Sequence, residues 1–223
     1  MADTSLQEVR ARIAKAAALA GRPADAVTLI AVSKTQPAER IAALIAEGQR
    51  DFGENRVQEA QAKWPDLRAR HPDVRLHLIG RLQSNKAEQA VALFDFIHSL
   101  DRPSLAAALG LAMARSGRRP GCFVQVDLGD EPQKGGCPVA DLAALLEAAR
   151  ELPILGLMCL PPAGVEPAPY FALLAKLARR HGVSGLSMGM SADYESAVTI
   201  GATHVRVGTA LFGERSGTEG EGA

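Results

Sequence analysis

Short runs rich in β-branched residues alternate with longer amphipathic stretches along this 223-residue chain, and that rhythm constrains its fold most strongly. Thr28-Leu-Ile-Ala-Val-Ser33 opens the series as a nearly continuous apolar run, the pattern of a strand covered on both faces. Pro37 then starts a helix carrying Ile41, Leu44 and Ile45, and Gly48 closes it. Further strands are expected at Asp51–Gly53, Arg75–Ile79, Phe94–His98, Gly121–Val126, Ile154–Met158, Gly185–Met188 and Thr203–Val207. Helical periodicity fills 56–70, 84–93, 104–116, 139–151, 168–181 and 193–200, with a short helix around Ala210. Eight strands, each followed by a helix, are the content of a closed parallel barrel, at the low end of the usual length. The expectation is an α/β protein with a single (β/α)8 TIM-type barrel. An open doubly wound sheet is the rival, but it generally uses fewer strands at this length.

An N-terminal helix precedes the barrel. Ser5 and Glu8 have capping-box spacing, and Leu6, Val9, Ile13, Ala16, Ala17 and Ala20 recur at helical intervals until Gly21. No Pro- or Ser-rich linker divides the chain, so residues 1–215 read as one domain, and 216–223, without apolar residues, as a disordered tail. Lys and Arg number 25 and Asp and Glu 25, a formal net charge of zero that argues against a nucleic-acid partner. Aromatic residues make up only 4%, too few for base-stacking platforms. Cys122, Cys137 and Cys159 form an odd count without a CxxC pair, as expected of reduced, buried thiols. The first residues lack a basic segment followed by an apolar run, and no apolar stretch approaches the ~20 residues of a membrane span. A soluble cytoplasmic protein with no membrane partner is expected.

In a barrel, chemistry belongs where strands end on the C-terminal face. Lys34 follows Leu29-Ile-Ala-Val32 directly. It is either a surface lysine or, partly desolvated in a barrel mouth, an amine available as a Schiff-base nucleophile. Gly185-Leu-Ser-Met-Gly189 matches the G-x-S-x-G pattern of hydrolases, but only Asp193 and His204 follow it, and Asp193 is better used as a helix N-cap. Ser187–Ser191 ahead of one helix, and Gly208-Thr209 ahead of the next, suit a phosphate after the seventh and eighth strands; the alternative is that these glycines only make turns. Arg206 stands two residues before Gly208 and either positions a planar cofactor or serves an internal ion pair. His71, His77, His98, His181 and His204 show no metal-ligand spacing, and His77 and His98, inside apolar runs, read as hydrogen-bonded core residues. No metal and no P-loop are expected.

Five segments in order carry a resemblance. Ile30–Thr35, Phe52–Glu59, His77–Lys86, Leu186–Ser191 and Val205–Gly213 closely resemble the pyridoxal phosphate homeostasis proteins, single-domain barrels similar to the N-terminal domain of alanine racemase. The resemblance runs from the first helix to Arg215. It implies that Lys34 holds pyridoxal 5′-phosphate as a Schiff base, that Ser187, Gly208 and Thr209 hold the phosphate, that Arg206 faces the pyridine nitrogen and that Asn55 lies near the ring. Asp130–Cys137 matches the family's loop after the fifth strand, with departures at Gly136 and Cys137. The implied function is a monomeric carrier that buffers or delivers the cofactor, with apo-enzymes that use it as recipients and no robust catalysis of its own. Two enzyme readings compete. A racemase needs a second acid/base, and Tyr170 and Tyr194 stand at no expected strand end; a Schiff-base aldolase acting on a sugar phosphate does not explain Arg206.

Overall fold

The computed structural model describes residues 5–129 and 131–213; the expected tail, 216–223, and the last residues of the expected domain lie outside them. Helix α1 (Leu6–Leu19) opens on the expected capping box, with Glu8 N–H donating to Ser5 Oγ (3.2 Å) and Ser5 N–H to Glu8 Oε2 (2.9 Å). Alternation then begins: β1 (Thr28–Val32), α2 (Ala38–Ala46), β2 (Asp51–Glu54), α3 (Val57–Arg70), β3 (Arg75–Leu78), α4 (Ala87–Leu93), β4 (Phe96–Leu100), α5 (Pro103–Ser116) and β5 (Gly121–Asp127). A two-residue strand, β6 (Cys137–Pro138), precedes α6 (Leu142–Ala148), β7 (Ile154–Met158), α7 (Ala168–Arg180), β8 (Gly185–Met190), α8 (Tyr194–Ile200), β9 (His204–Val207) and α9 (Thr209–Phe212).

Every strand pairing is parallel, and β1-β2-β3-β4-β5-β7-β8-β9 forms a ring that β1 and β9 close along Thr28↔His204 to Ala31↔Val207. The chain therefore folds as the expected eight-stranded barrel. Leu29 and Ala31 of β1 join a continuous apolar layer between the sheet and the helices, with Ile41, Trp64, Leu67, Leu109 and Phe171 from the helical side. Ile30, between them, is fully buried yet outside that layer, so it belongs to the barrel interior.

Two boundaries differ from expectation for local reasons. The fourth strand begins at Phe96 because Phe94 still closes α4, its N–H donating to Ala90 O (2.9 Å). The stretch after residue 139 is a 3-10 turn, Val139–Asp141, followed by a shorter helix than its periodicity suggests. The added strand β6 pairs with the end of β5, Val126↔Cys137 and Asp127↔Pro138. All three cysteines are free and buried, and burial pushes each thiol up to about 12. Among the described residues, no helix is long and apolar enough to cross a membrane.

Strands β7 and β8 approach closely at Gly156, where a Cβ would lie 1.9 Å from Gly185 O. That neighbour is backbone in a closed sheet and cannot step aside. Gly156→Ala is expected to lower stability by ~3 kcal/mol or more in urea titration. Gly110→Ala, inside α5 with only Leu152 Cδ2 at 3.8 Å, is expected to be neutral or to gain up to ~1 kcal/mol.

Candidate functional site

The loops at the C-terminal ends of the strands enclose a cleft of about 600 Å³ lined by Lys34, Asn55, Arg206, Gly208 and Thr209, together with Ser191, Gln125 and Lys134. Five of the six expected site residues thus meet in one place. The sixth, Ser187, does not line the cleft. It is fully buried below the mouth, where its Oγ accepts from Arg206 Nη1 (2.6 Å) and meets His98 Nδ1 (2.8 Å). The hydroxyl that reaches the cleft on this segment is Ser191, beyond the register shift between Ser187 and Met190, and it accepts the Gly208 N–H (3.1 Å). Asp193 occupies the N-cap of α8 as expected, but its carboxylate turns back to Met190 N–H (2.5 Å) and ties down the loop carrying Ser191.

Lys34 sits on a braced turn. Thr35, the next residue, has φ +62, a left-handed conformation that a β-branched residue adopts only under constraint. Glu59 of α3 supplies that constraint by accepting Thr35 N–H (2.5 Å). Lys63, one helical turn on, donates to Ser33 O (2.9 Å) and pairs with Glu54 (2.8 Å). Glu54 is fully buried at the end of β2, and the same oxygen also accepts Ser33 Oγ–H (2.7 Å) and Trp64 Nε1–H (2.9 Å). Glu54 stands at an expected strand end, whereas Glu59 and Lys63 were not individually predicted; their i, i+4 spacing on an expected helix was the visible signal. Next to this turn, a Cβ at Gly80 would lie 2.3 Å from Asn55 O, so glycine lets the loops after β2 and β3 touch and present Asn55 and Arg81 to the cleft.

Beneath the mouth a polar column runs through the barrel. Arg75 Nη2 donates to Asp51 Oδ2 (2.7 Å), and Asp51 Oδ1 meets His77 Nε2 (2.9 Å). His77 Nδ1 meets His98 Nε2 (3.0 Å), and His98 Nδ1 meets Ser187 Oγ, the partner of Arg206. His98 is on β4 and Ser187 on β8, across the ring, so this contact passes through the interior. The two histidines are core hydrogen-bonding residues, as expected. Burial lowers His77 and lowers His98 well below the ordinary imidazole value, while His77 and Arg75 outweigh burial and hold the Asp51 carboxyl low. Arg206, 3% exposed, also donates to Cys159 O (2.9 Å), and burial lowers its guanidinium from the usual range.

A second cavity, about 670 Å³, opens at the opposite end of the barrel between α1 and the starts of β1 to β3. Its guanidinium groups are already engaged: Arg10 with Gly48 O and Gln49, Arg50 with Asp73, and Arg75 with Asp51. The C-terminal cleft is therefore the better ligand site.

Comparison with known proteins gives the family. Residues 4–216 match the family of the alanine racemase N-terminal domain. A pyridoxal phosphate homeostasis protein of Pseudomonas aeruginosa is 43% identical, covering 95% of this chain and 94% of its own. That of Aquifex aeolicus is 40% identical over 94% and 96%. The PipY protein of Synechococcus elongatus, solved with PLP bound, is 44% identical at TM-score 0.81 over 90% of this chain and 100% of its own. An alanine racemase from Clostridium difficile shares the fold alone, at 15% identity and TM-score 0.69 over 97% of this chain and 62% of its own.

The buried imidazoles make stability depend on pH. His204, partly buried beside His77 and His98, is lowered from 6.5 to about 3, chiefly by desolvation. The unfolded chain therefore binds the proton first, and stability falls as pH drops below about 6.5 toward 3. From this residue alone, urea titration is expected to show a loss of about 2 kcal/mol between pH 7 and pH 5. His204→Gln should reduce that loss.

Proposed function

The chain belongs to the alanine racemase N-terminal domain family and, within it, to the pyridoxal phosphate homeostasis proteins, and on that premise we propose that it holds pyridoxal 5′-phosphate at Lys34 for delivery without catalysis of its own. The bound cofactor supplies an aldehyde that condenses with an amine, a ring nitrogen and a phosphate. The donor set of the cleft fits all three. Lys34 offers the amine on a braced turn. Ser191 already accepts Gly208 N–H, so its own proton is available to a phosphate oxygen, beside the Thr209 hydroxyl. In the single turn opening at Thr209, the Leu211 and Phe212 N–H groups donate to Gly208 O (2.9 Å each), so those of Thr209 and Ala210 lie ahead of its ladder. Ser191 takes the phosphate role expected of Ser187, and Ser187 supports Arg206.

In this reading Arg206 faces the ring nitrogen, with Asn55 beside the ring. A permanent donor there disfavours protonation of that nitrogen and weakens the electron sink that many reactions of this cofactor need. The observation that carries the reading is the lining itself: among the described residues it holds no Asp, Glu, His, Tyr or Cys. The other amine, Lys134, is engaged with Pro161 O (2.9 Å) and Glu131 (2.6 Å). Tyr194 is buried on α8 with the Arg12 guanidinium 5.6 Å from its ring, and Tyr170 lies in the first turn of α7. A two-base racemase lacks its second base here. Recipients are then apo-enzymes that use the cofactor, in the cytoplasm. One chain supplies every proposed ligand group, so a monomer suffices.

Borohydride reduction of the loaded protein followed by peptide mass spectrometry is expected to place the adduct on Lys34; an adduct on Lys86 or Lys134 contradicts the assignment. Ser191→Ala and Thr209→Ala are each expected to weaken retention roughly ten- to a hundredfold, the value of about 1.5–3 kcal/mol for a hydrogen bond to a charged group. Unchanged retention in the double variant contradicts the phosphate placement.

A further inference from the structure

With both imidazoles neutral, the polar column has one consistent arrangement of hydrogens. Asp51 is ionised and can only accept, so His77 Nε2 must carry a proton (2.9 Å). Burial lowers His77 and favours its neutral form, in which Nδ1 accepts and His98 Nε2 is the donor across 3.0 Å. His98 is neutral for the same reason, so its Nδ1 accepts the Ser187 hydroxyl proton across 2.8 Å. The Ser187 oxygen is then left with lone pairs alone, aimed at Arg206 Nη1 (2.6 Å). The reverse order would set an imidazole lone pair against a carboxylate. Arg206 stands at one end and Asp51, itself paired with Arg75, at the other, and every bond between Ser187 and Asp51 points the same way.

We propose that Asp51, at the end of the barrel opposite the cleft, positions Arg206 through this one-way chain of His77, His98 and Ser187, and so fixes which Arg206 N–H groups are presented to the ligand. Asp51, His77 and His98 are absent from the cleft lining, so they act only through Arg206. A guanidinium held at two of its nitrogens, by Ser187 Oγ and Cys159 O, loses little freedom when the cofactor arrives. The consequence for the ring nitrogen rests on the reading that Arg206 faces it.

Nitrogen NMR of histidine-labelled, cofactor-free protein reads the tautomers directly. Both His77 and His98 are expected to be neutral with the proton on Nε2, and a proton on Nδ1 of either ring overturns the chain. Asp51→Leu removes both carboxylate oxygens at similar volume. It is expected to mix the tautomers of both histidines and to broaden the Arg206 guanidinium signals. Ser187→Ala cuts the chain at its other end and is expected to broaden the same signals, which keeps the test decisive if Asp51→Leu fails to fold. Sharp, unshifted Arg206 signals in a folded variant overturn the proposal. Loading with pyridoxal phosphate labelled at its ring nitrogen adds a second readout. Asp51→Leu, or Ser187→Ala in its place, is expected to move that resonance in the same direction as Arg206→Lys. A shift with Arg206→Lys alone overturns the chain and leaves the reading of the cleft intact. No shift with Arg206→Lys overturns that reading, and the cofactor-free signals then decide the chain.

Discussion

A closed eight-stranded parallel sheet has an interior that its own side chains must fill, and most barrels fill it with layers of branched apolar residues. Here part of that volume is polar: Asp51, His77, His98, Ser187 and Arg206, stacked from one end of the strands to the other. Phe96 and Phe123 stack on His77 and His98 at ring-centroid distances of 4.5 and 4.4 Å, which excludes water and makes each hydrogen bond costly to lose. The column is tolerable because its members are partnered, and it ends on Arg206, which lines the cleft. Barrel closure and the geometry of the site are therefore one constraint.

The adjoining wall of the cleft, beyond the neighbouring strand β1, is built by a different device. Lys34 must leave β1 and reach the mouth, and the chain turns there through a left-handed threonine, a cost of about 1–3 kcal/mol. Glu59, Lys63 and the buried Glu54 offset it by satisfying the turn's backbone groups and anchoring it to α3. Both devices hold groups still. Among the described residues neither brings a carboxylate, imidazole or phenol to the cleft, and its second amine, Lys134, is engaged with Pro161 O and Glu131.

Much of this was legible in the sequence, and the reasons are local. Apolar runs such as Thr28–Val32 are buried on both faces, and that pattern survives any tertiary detail. Lys34, Asn55, Gly208 and Thr209 follow strand ends, which the barrel topology alone gathers at one face. Ser187 was misplaced because the register of β8 shifts after it, and a register shift leaves no mark in residue spacing. Asp51 and Lys63 were missed as individuals for a related reason: their partners lie on other strands and helices, at sequence separations that no periodicity encodes. His77 and His98 were recognised as core residues, but the contact of His98 with Ser187 across the ring required the closed sheet.

Exchange of the α-proton of alanine and serine in deuterated water tests the central claim most directly, with the loaded protein scored against free pyridoxal phosphate. A holder with no second base is expected to leave the exchange near the free-cofactor rate while it passes the cofactor to an apo-enzyme. General-base catalysis contributes about 10²–10⁴-fold. An acceleration of that size, lost when Lys134 or a tyrosine is replaced, would contradict the account and make the protein an enzyme.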